Sequence, residues 1–178
     1  KIGYKVHPPK KLLATDFGVP QKRRRIFFIG TNTEKDITFP KPTHSKENWV
    51  PVSKVLLPKE KVGKIFFHGP KMIDGFFRRL ENNKKKGCGW GAQFLRLDEP
   101  SFTISARYWK DGADALVKYS NNEIRMLTPE ECASIQTFPK NYIWCGSKRE
   151  IYTQIGNAVP CLLGKAIAEE IKNSLEEN

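Results

Sequence analysis

The side chains with the most obvious chemical potential lie in the segment GVPQKRRRIFFIG, residues 18–30. Four consecutive basic residues, Lys22 to Arg25, run directly into the apolar stretch Ile26 to Ile29. Guanidinium groups are planar donors that keep their charge, so a pair aimed by a rigid strand is suited to holding a phosphate and a polar ring together. A solvated basic strand end is the alternative, and the residue types alone do not separate the two.

The cysteines and histidines show no metal-binding pattern. The four cysteines include no C-x-x-C pair, and none of the three histidines lies in zinc-like spacing with them. Most of the cysteines are predicted to be small buried apolar residues. Pro160-Cys161 places a cysteine after a proline, but the pair opens a segment that is typical of a structural helix.

The basic cluster requires a strand to position it. The run Ile-Phe-Phe-Ile over Ile26 to Ile29 predicts a buried strand, preceded by a turn at Gly18 and Pro20. Because side chains alternate along a strand, Arg23 and Arg25 are expected on one face and Arg24 on the other.

A capped helix is predicted in RMLTPEECASIQTFP, residues 125–139. Thr128 is a good N-cap, Pro129 suits the first helical position, and Glu131 completes a capping box. Leu127 and Cys132 flank the cap as a hydrophobic staple. The pattern predicts a helix over 128–138, with Glu131 acting as a cap and Gln136 as a structural hydrogen-bonding residue.

The C-terminal region combines a turn and a helix. YTQIGNAVP, residues 152–160, predicts a tight turn at Gly156-Asn157 that leads into a helix. Leu163, Ile167, Ile171 and Leu175 then recur at steps of four, which is typical of an amphipathic helix. Taken singly, each of these elements is explained by ordinary helical structure.

Composition narrows the class of protein. The 178 residues suffice for one domain or parts of two, and 39% hydrophobic with 28% charged residues suits a soluble globular protein. Lys and Arg number 31 against 19 Asp and Glu, a net charge of +12, which favours a polyanionic partner such as nucleic acid. No run of 18 apolar residues or signal-peptide pattern is present, so a cytoplasmic location without a membrane partner is expected.

Together and in order, these segments resemble one family. PQKRRR is similar to the P-Q-x-R-x-R signature of the DNA cytosine-5 methyltransferases. RMLTPEECASIQTFP resembles that family's R-x-L-T-x-x-E-x-x-x-x-Q-x-F-P helix, and QIGNAVP resembles its G-N-x-V-P segment. LLATDFGVPQ and FTISARYW also look like family sequence. The resemblance runs from about Gly3 to Ile171 and is weakest over 41–100.

The resemblance implies an α/β fold with two parts. Residues 1–50 and 151–178 would belong to a Rossmann-like catalytic domain that binds S-adenosylmethionine. Residues 51–150 would form a smaller, mixed target-recognition domain across a DNA cleft, supported by the 128–138 helix. Without its other strands, the sheet is expected to be incomplete, to expose apolar surface and to be poorly stable.

Catalytic roles follow from the resemblance at three positions. Arg25 corresponds to the arginine that donates to the cytosine O2. Arg23 corresponds to the one near the phosphate of the flipped nucleotide and the catalytic loop, and Gln21 would hold the strand and loop in place. Lys22 and Arg24 occupy variable positions and are expected to be solvated.

Binding roles follow in the same way. Asn157, Ala158 and Val159 would help to seat S-adenosylmethionine. Contacts to double-stranded DNA are expected from a basic, glycine-containing loop and from the segment after it: Arg78, Arg79, Lys84, Lys85, Lys86, Trp90, Thr103 and Arg107. Tyr108 and Trp109 could face the groove or belong to the core.

Three family motifs do not occur in this sequence. They are the F-x-G-x-G cofactor loop, the Pro-Cys loop that supplies the nucleophile, and the Glu-Asn-Val segment. Cys161 does not match the nucleophile. The resemblance therefore implies the C-terminal half of a bacterial restriction-modification methyltransferase that is inactive alone and needs an N-terminal half or subunit. A non-catalytic basic DNA-binding module and an inactive gene remnant remain the alternatives.

Overall fold

A computed structural model describes residues 3–87, 89 and 91–176 of the chain. It contains six short strands: β1 Lys5–Val6, β2 Lys10–Leu13, β3 Arg24–Phe27, β4 Gly30–Thr31, β5 Val117–Ser120 and β6 Glu123–Arg125. It contains four α-helices: α1 Pro70–Lys86, α2 Pro129–Ile135, α3 Lys148–Asn157 and α4 Cys161–Glu176. Short 3-10 helices cover Ala14–Phe17, Val52–Val55, Lys59–Lys61 and Lys64–Phe66.

The strands pair as three separate two-stranded sheets. Antiparallel ladders join β1 to β4, β2 to β3 and β5 to β6, and among the described residues no ladder extends beyond two strands. The mixture of helices and small sheets confirms the predicted α/β class. Near the N-terminus, β1–β4 and β2–β3 form two separate ladders instead of one sheet.

The strand predicted over Ile26 to Ile29 is placed differently and is not buried. Regular pairing covers β3 instead, where Lys11 faces Ile26 and Leu12 faces Arg25. Ile26 is 55% exposed and Phe28 is 72% exposed, although Ile29 is buried. The prediction was wrong because β3 pairs only with β2 in the described chain, and no second layer covers its outer face.

Buried side chains form three clusters. The main core joins residues of the 52–138 region to α3 through Tyr152 and Ile155. A second core packs Leu12, Phe17 and Val19 against Leu163 of α4. The third holds α1 against the β5–β6 hairpin and the chain around residue 92. Helix α3 therefore packs with the larger central part of the chain, and α4 packs with the N-terminal strands.

The predicted capping box at α2 is confirmed. The Thr128 hydroxyl accepts from the Glu131 amide at 3.1 Å, and the Glu131 carboxylate accepts from the Thr128 amide at 2.8 Å. Leu127 and Cys132 on either side of the cap are both fully buried. The helix ends at Ile135 rather than Phe138, because Thr137 adopts a positive φ of 59° that a right-handed helix cannot continue.

The turn predicted at Gly156-Asn157 is wrong. These residues form the last turn of α3, which begins after a second capping box between Ser147 and Glu150. Helix α4 starts four residues later, at Cys161. Its predicted apolar stripe is present but unevenly covered: Leu163 is fully buried, whereas Leu175 is 40% exposed.

A buried ion pair organises the start of α2. Both Arg125 and Glu131 are fully buried, and their two hydrogen bonds measure 2.8 and 2.9 Å. The carboxylate also accepts from the backbone amides of Thr128 and Leu57, at 2.8 and 2.9 Å. The Arg125 Nε donates to the Tyr119 hydroxyl at 3.1 Å. The charged groups are thus fully hydrogen-bonded, which is the condition for a buried pair to be tolerated.

Replacing Glu131 with Ala should destabilise the chain strongly. The change leaves Arg125 buried without a counter-charge, which costs about 3–5 kcal/mol in comparable cases. Urea unfolding followed by circular dichroism measures the difference. The control is Glu130→Ala, at an exposed neighbour in the same helical turn, with an expected change below about 1 kcal/mol. Equal effects of the two substitutions would show that the buried pair has no special importance.

Candidate active site

The basic segment 21–25 divides between the interior and the surface. Gln21 is fully buried and Arg23 is 4% exposed, whereas the side chains of Arg24 and Arg25 are exposed. The expectation that Arg23 and Arg25 share one face does not hold, because regular strand structure begins only at Arg24. Arg23 lies in a tighter backbone turn, in which its amide donates to the Gln21 carbonyl at 2.8 Å.

A pair of buried amide side chains joins distant parts of the chain. Gln21 Nε2 donates to Gln136 Oε1 at 3.0 Å, and Gln21 Oε1 accepts from the Ile104 amide at 3.0 Å. Gln136 Nε2 in turn donates to the Ile155 carbonyl at 2.7 Å and to the Ala158 carbonyl at 3.3 Å. The predicted structural role of Gln136 agrees with this geometry, since its amide nitrogen fastens the end of α3.

Arg23 makes a parallel connection. Its Nη1 donates to the Ile104 carbonyl at 3.1 Å and its Nη2 donates to the Gly156 carbonyl at 2.9 Å, while its Nε is buried without a partner. Burial, and secondarily the positive charge of Arg25, lowers the pKa of Arg23 to about 10. The group is still protonated at neutral pH, so both contacts to carbonyl oxygens are charge-assisted.

Gly156 allows two backbone segments to touch. A Cβ atom at this position would lie 2.4 Å from the Ser105 carbonyl oxygen and 2.5 Å from the Ala106 nitrogen. No residue with a side chain fits there without moving the backbone. The last turn of α3 is therefore held directly against the segment that follows Ile104.

These contacts define a junction of four segments, residues 21–25, 101–106, 136 and 155–158. Its hydrogen bonds join Gln21 and Arg23, two of the predicted catalytic residues, to the helix end that carries the predicted cofactor segment. Asn157 and Val159 are exposed at this end of α3, and Ala158 is half-buried. The sequence patterns did not indicate that Gly156 is a packing residue, although a glycine within a helix is a signal that could have pointed to a close approach.

The residues predicted to contact DNA fall into two groups. Thr103 adjoins the junction, where its hydroxyl donates to the Lys22 carbonyl at 2.9 Å, and Arg107 is exposed nearby in sequence. The second group lies on α1 and is exposed throughout: Arg78, Arg79, Lys84, Lys85 and Lys86. Lys85 pairs with Glu81 at 2.8 Å. Trp90 lies outside the described residues. The structure therefore does not gather all of the predicted DNA contacts at the junction.

The cysteines differ in environment. Cys132 is buried in the main core and burial raises its pKa well above the usual value, whereas Cys145 is exposed, contrary to the prediction of mostly buried cysteines. Cys161 is half-buried at the start of α4, and burial raises the pKa of its thiol, which disfavours the nucleophilic thiolate.

Among the residues that the structure describes, no cluster of His, Cys, Asp and Glu could hold a metal ion. Within the same ranges, no helix is both long enough and apolar enough to cross a membrane.

Comparison with known proteins identifies the class to which this fold and site belong. A family model described as C-5 cytosine-specific DNA methylase matches residues 1–173. The chain therefore belongs to the C-5 cytosine-specific DNA methylase family.

Curated relatives from bacteria agree with this assignment. Type II methyltransferase M.DsaV of Dactylococcopsis salina is 37% identical over 174 residues, which cover 94% of this chain and 48% of the relative. Type II methyltransferase M1.ScrFI of Lactococcus lactis subsp. cremoris is 35% identical, with coverage of 100% and 46%. The chain spans about half the length of these curated relatives.

Solved structures support the fold independently. The Dnmt2 methyltransferase of S. pombe superposes with a TM-score of 0.74 over 98% of this chain and 58% of that chain, at 14% sequence identity. The Entamoeba histolytica methyltransferase EhMeth superposes with a TM-score of 0.71 at 17% identity. The chain therefore shares the α/β fold of methyltransferases.

Replacing Gly156 with Ala should open the junction. The added methyl group meets backbone atoms at 2.4–2.5 Å, and overpacking of this kind costs about 1–3 kcal/mol or more. The matched control is Gly164→Ala in α4, where the nearest atom is a Val159 methyl carbon at 3.9 Å. That control should stabilise the helix by about 0.5–1 kcal/mol. Urea midpoints distinguish the two outcomes, and equal shifts would contradict the close approach.

Proposed function

We propose that this chain is the C-terminal portion of a DNA cytosine-5 methyltransferase from a restriction-modification system. It would recognise duplex DNA and complete the site for methyl transfer to C5 of a flipped cytosine. The observation that carries the proposal is the junction. Arg23 precedes β3 directly and bonds to the Gly156 carbonyl in the last turn of α3. The segment that carries Arg25 is thereby fastened to the helix end that carries Asn157.

The buried and exposed arginines would have different roles. Both Nη atoms of Arg23 are engaged with backbone carbonyls, which supports a positioning role in place of the phosphate contact expected from the sequence. Arg25 is exposed, and its Nη1 donates only to the adjacent Arg24 carbonyl, at 2.7 Å. Its remaining donors are available for the O2 atom of a flipped cytosine. Gln21 would position both arginines through Gln136.

The chemistry assigned to these residues is electrostatic. A cytosine swung out of the duplex is attacked at C6 by a thiolate, which must come from another segment because Cys161 does not suit the role. S-adenosylmethionine, when bound, supplies the methyl group. The Arg25 guanidinium would donate to the ring as negative charge accumulates on it, without needing to reorganise at the moment of reaction.

The exposed end of α3 fits part of a cofactor site. Asn157 offers an amide and Val159 a 46% exposed apolar surface, next to a half-buried Ala158 whose backbone is fixed by Gln136. A polar group beside an apolar surface matches the mixed character of S-adenosylmethionine. These residues would contact one side of the cofactor, and the remainder of its site would come from the rest of the catalytic domain.

The domain assignment can be refined from the cores. We propose that residues 1–50 and α4 contribute to the catalytic domain, since Leu12, Phe17 and Leu163 share one core. Residues 51–150 would form the recognition domain. Because Tyr152 and Ile155 pack into the main core, α3 would belong with that domain, and the boundary would follow Asn157 rather than precede residue 151.

An uncovered apolar surface supports the need for further protein. Four large apolar side chains on or beside β1 and β3 are between 55% and 72% exposed: Tyr4, Val6, Ile26 and Phe28. Such a surface is more apolar than expected for a strand that faces water on both sides. We propose that the N-terminal half of the methyltransferase, as a covalent segment or a separate subunit, packs on this surface.

Co-expression tests the function directly. The chain is combined with an N-terminal half that carries the F-x-G-x-G, Pro-Cys and Glu-Asn-Val motifs, and transfer of labelled methyl groups to DNA is measured. The pair should methylate cytosine and the chain alone should be silent. Methylation by the chain alone that is abolished by Cys161→Ser would instead identify Cys161 as the nucleophile. DNA binding without methylation by the pair would favour the non-catalytic module or remnant.

Arg25→Ala should impair chemistry more than binding in the assembled enzyme. Removing one donor to a charge that develops in the transition state costs about two to three orders of magnitude in kcat. Arg24→Ala is the matched control, because Arg24 is the exposed neighbour in the same strand and should change kcat by only a few-fold. Single-turnover kinetics with saturating DNA separate the chemical step from affinity. Equal losses of DNA affinity for both variants, with kcat intact, would make the segment a phosphate-binding patch.

A further inference from the structure

Two cations lie against the Trp109 indole, and neither was assigned a role in catalysis. The Arg149 guanidinium carbon lies 4.4 Å from the centroid of the ring, and the Lys110 ammonium lies 5.9 Å from it. Arg107 is exposed two residues earlier in the same segment. We name Arg107, Trp109, Lys110 and Arg149 the indole patch.

The indole patch is built on fixed backbone. The Thr153 hydroxyl lies 3.3 Å from the Ala106 carbonyl and 3.0 Å from the Arg149 carbonyl, so α3 is fastened to the segment that carries Arg107 and Trp109. Gly156 adds the close backbone contact at Ser105 and Ala106. Trp109 itself packs against the main core. The patch therefore joins two elements into one surface instead of resting on a flexible loop.

The cations of the indole patch are not held in ion pairs. Within the described part of the chain, the ion pairs involve other cations, and none includes Arg107, Lys110 or Arg149. Two carboxylates adjoin these cations in sequence, and each accepts hydrogen bonds from other groups. Glu150 accepts from the Ser147 amide and hydroxyl, both at 2.7 Å, and Asp111 accepts from the Ala113 amide at 3.0 Å. Cations held around one aromatic ring repel one another, and an anion placed between them relieves that repulsion.

The indole patch adjoins the exposed end of α3 along a single helical face. Arg149, Thr153 and Asn157 follow one another at steps of four residues, which places them on one side of the helix. Eight residues of helix span about 12 Å. Along a duplex with a rise of about 3.4 Å per base pair, that length corresponds to about three to four base pairs.

We propose that the indole patch binds the phosphate backbone of duplex DNA beside the target site, through Arg149 and Lys110 held on Trp109. This inference rests on the proposed function for the identity of the ligand. It assigns a DNA-binding role to α3. The P-Q-x-R-x-R and G-N-x-V-P motifs do not imply such a role for this helix. The contact would set the register of the protein on the duplex without reading bases.

Salt-dependent DNA binding by the chain itself tests the assignment. Fluorescence anisotropy of a labelled 20-base-pair duplex is recorded over a series of NaCl concentrations. Arg149→Gln and Lys110→Gln should each reduce the slope of log affinity against log salt by about 0.9, and the double variant by about 1.8. At 0.1 M salt each single loss corresponds to an affinity that is roughly eightfold lower.

Two control variants sharpen the test. Lys172→Gln removes an exposed cation on α4, which packs against the N-terminal strands, and should leave the slope unchanged. Arg149→Lys keeps the charge but loses the planar group over the indole, so the slope should persist while affinity falls about two- to threefold. Circular dichroism confirms that the surface variants remain folded.

The outcomes are decisive in either direction. Three results would each overturn the assignment. The first is an unchanged slope in Arg149→Gln and Lys110→Gln, and the second is an equal fall of the slope in Lys172→Gln. The third is no binding by the unmodified chain at 20 mM salt. The test is independent of methyl transfer. If the two-part enzyme is active but the slopes of the variants are unaltered, only the DNA-binding role of the indole patch is refuted. If the slopes are altered but the co-expressed pair does not methylate DNA, only the enzymatic function is refuted.

Discussion

The hydrogen bond between the buried amides of Gln21 and Gln136 is the contact on which the arrangement of this chain depends. It connects residues 115 positions apart, and each partner uses its remaining groups to hold another segment, at Ile104 and at the end of α3. Arg23 crosses the same interior with two bonds of its own. A buried amide that loses its partner costs about 1–3 kcal/mol, so the members of this junction support one another.

Helix α3 links the junction to the larger core. Tyr152 and Ile155 face that core, and the Tyr152 hydroxyl donates to the Leu127 carbonyl at 2.6 Å, immediately before the α2 cap. The buried Arg125–Glu131 ion pair contacts the chain at the next residue, where the Glu131 carboxylate accepts from the Thr128 amide. Buried hydrogen bonds therefore form a continuous series from the β5–β6 hairpin to the basic segment, where the Arg23 Nε is left without a partner. This continuity lets surface residues at the end of α3 be positioned by contacts made deep in the structure.

The N-terminal strands have the opposite character. Their inner residues, such as Leu12 and Phe17, pack with α4, but Ile26 and Phe28 on β3 and beside it face outward. Short two-stranded sheets with exposed apolar side chains are marginal in water and prone to association. The packing of this chain therefore combines a well-packed centre with an uncovered apolar edge at β1 and β3.

Local rules in the sequence determined the α2 cap, because its two reciprocal bonds join Thr128 and Glu131, which lie within one helical turn. They also determined the amphipathic character of α4 and the α/β class. Only the tertiary structure decided the fate of the basic segment: identical arginines at 23 and 25 became a buried link and an exposed donor, because regular pairing starts at Arg24. It also set Gly156 against Ser105 and Ala106, about fifty residues away in sequence, whereas the helix that contains Gly156 begins at a local capping box between Ser147 and Glu150. Burial and close approach are properties of segments that meet only after folding, and no local pattern encodes them.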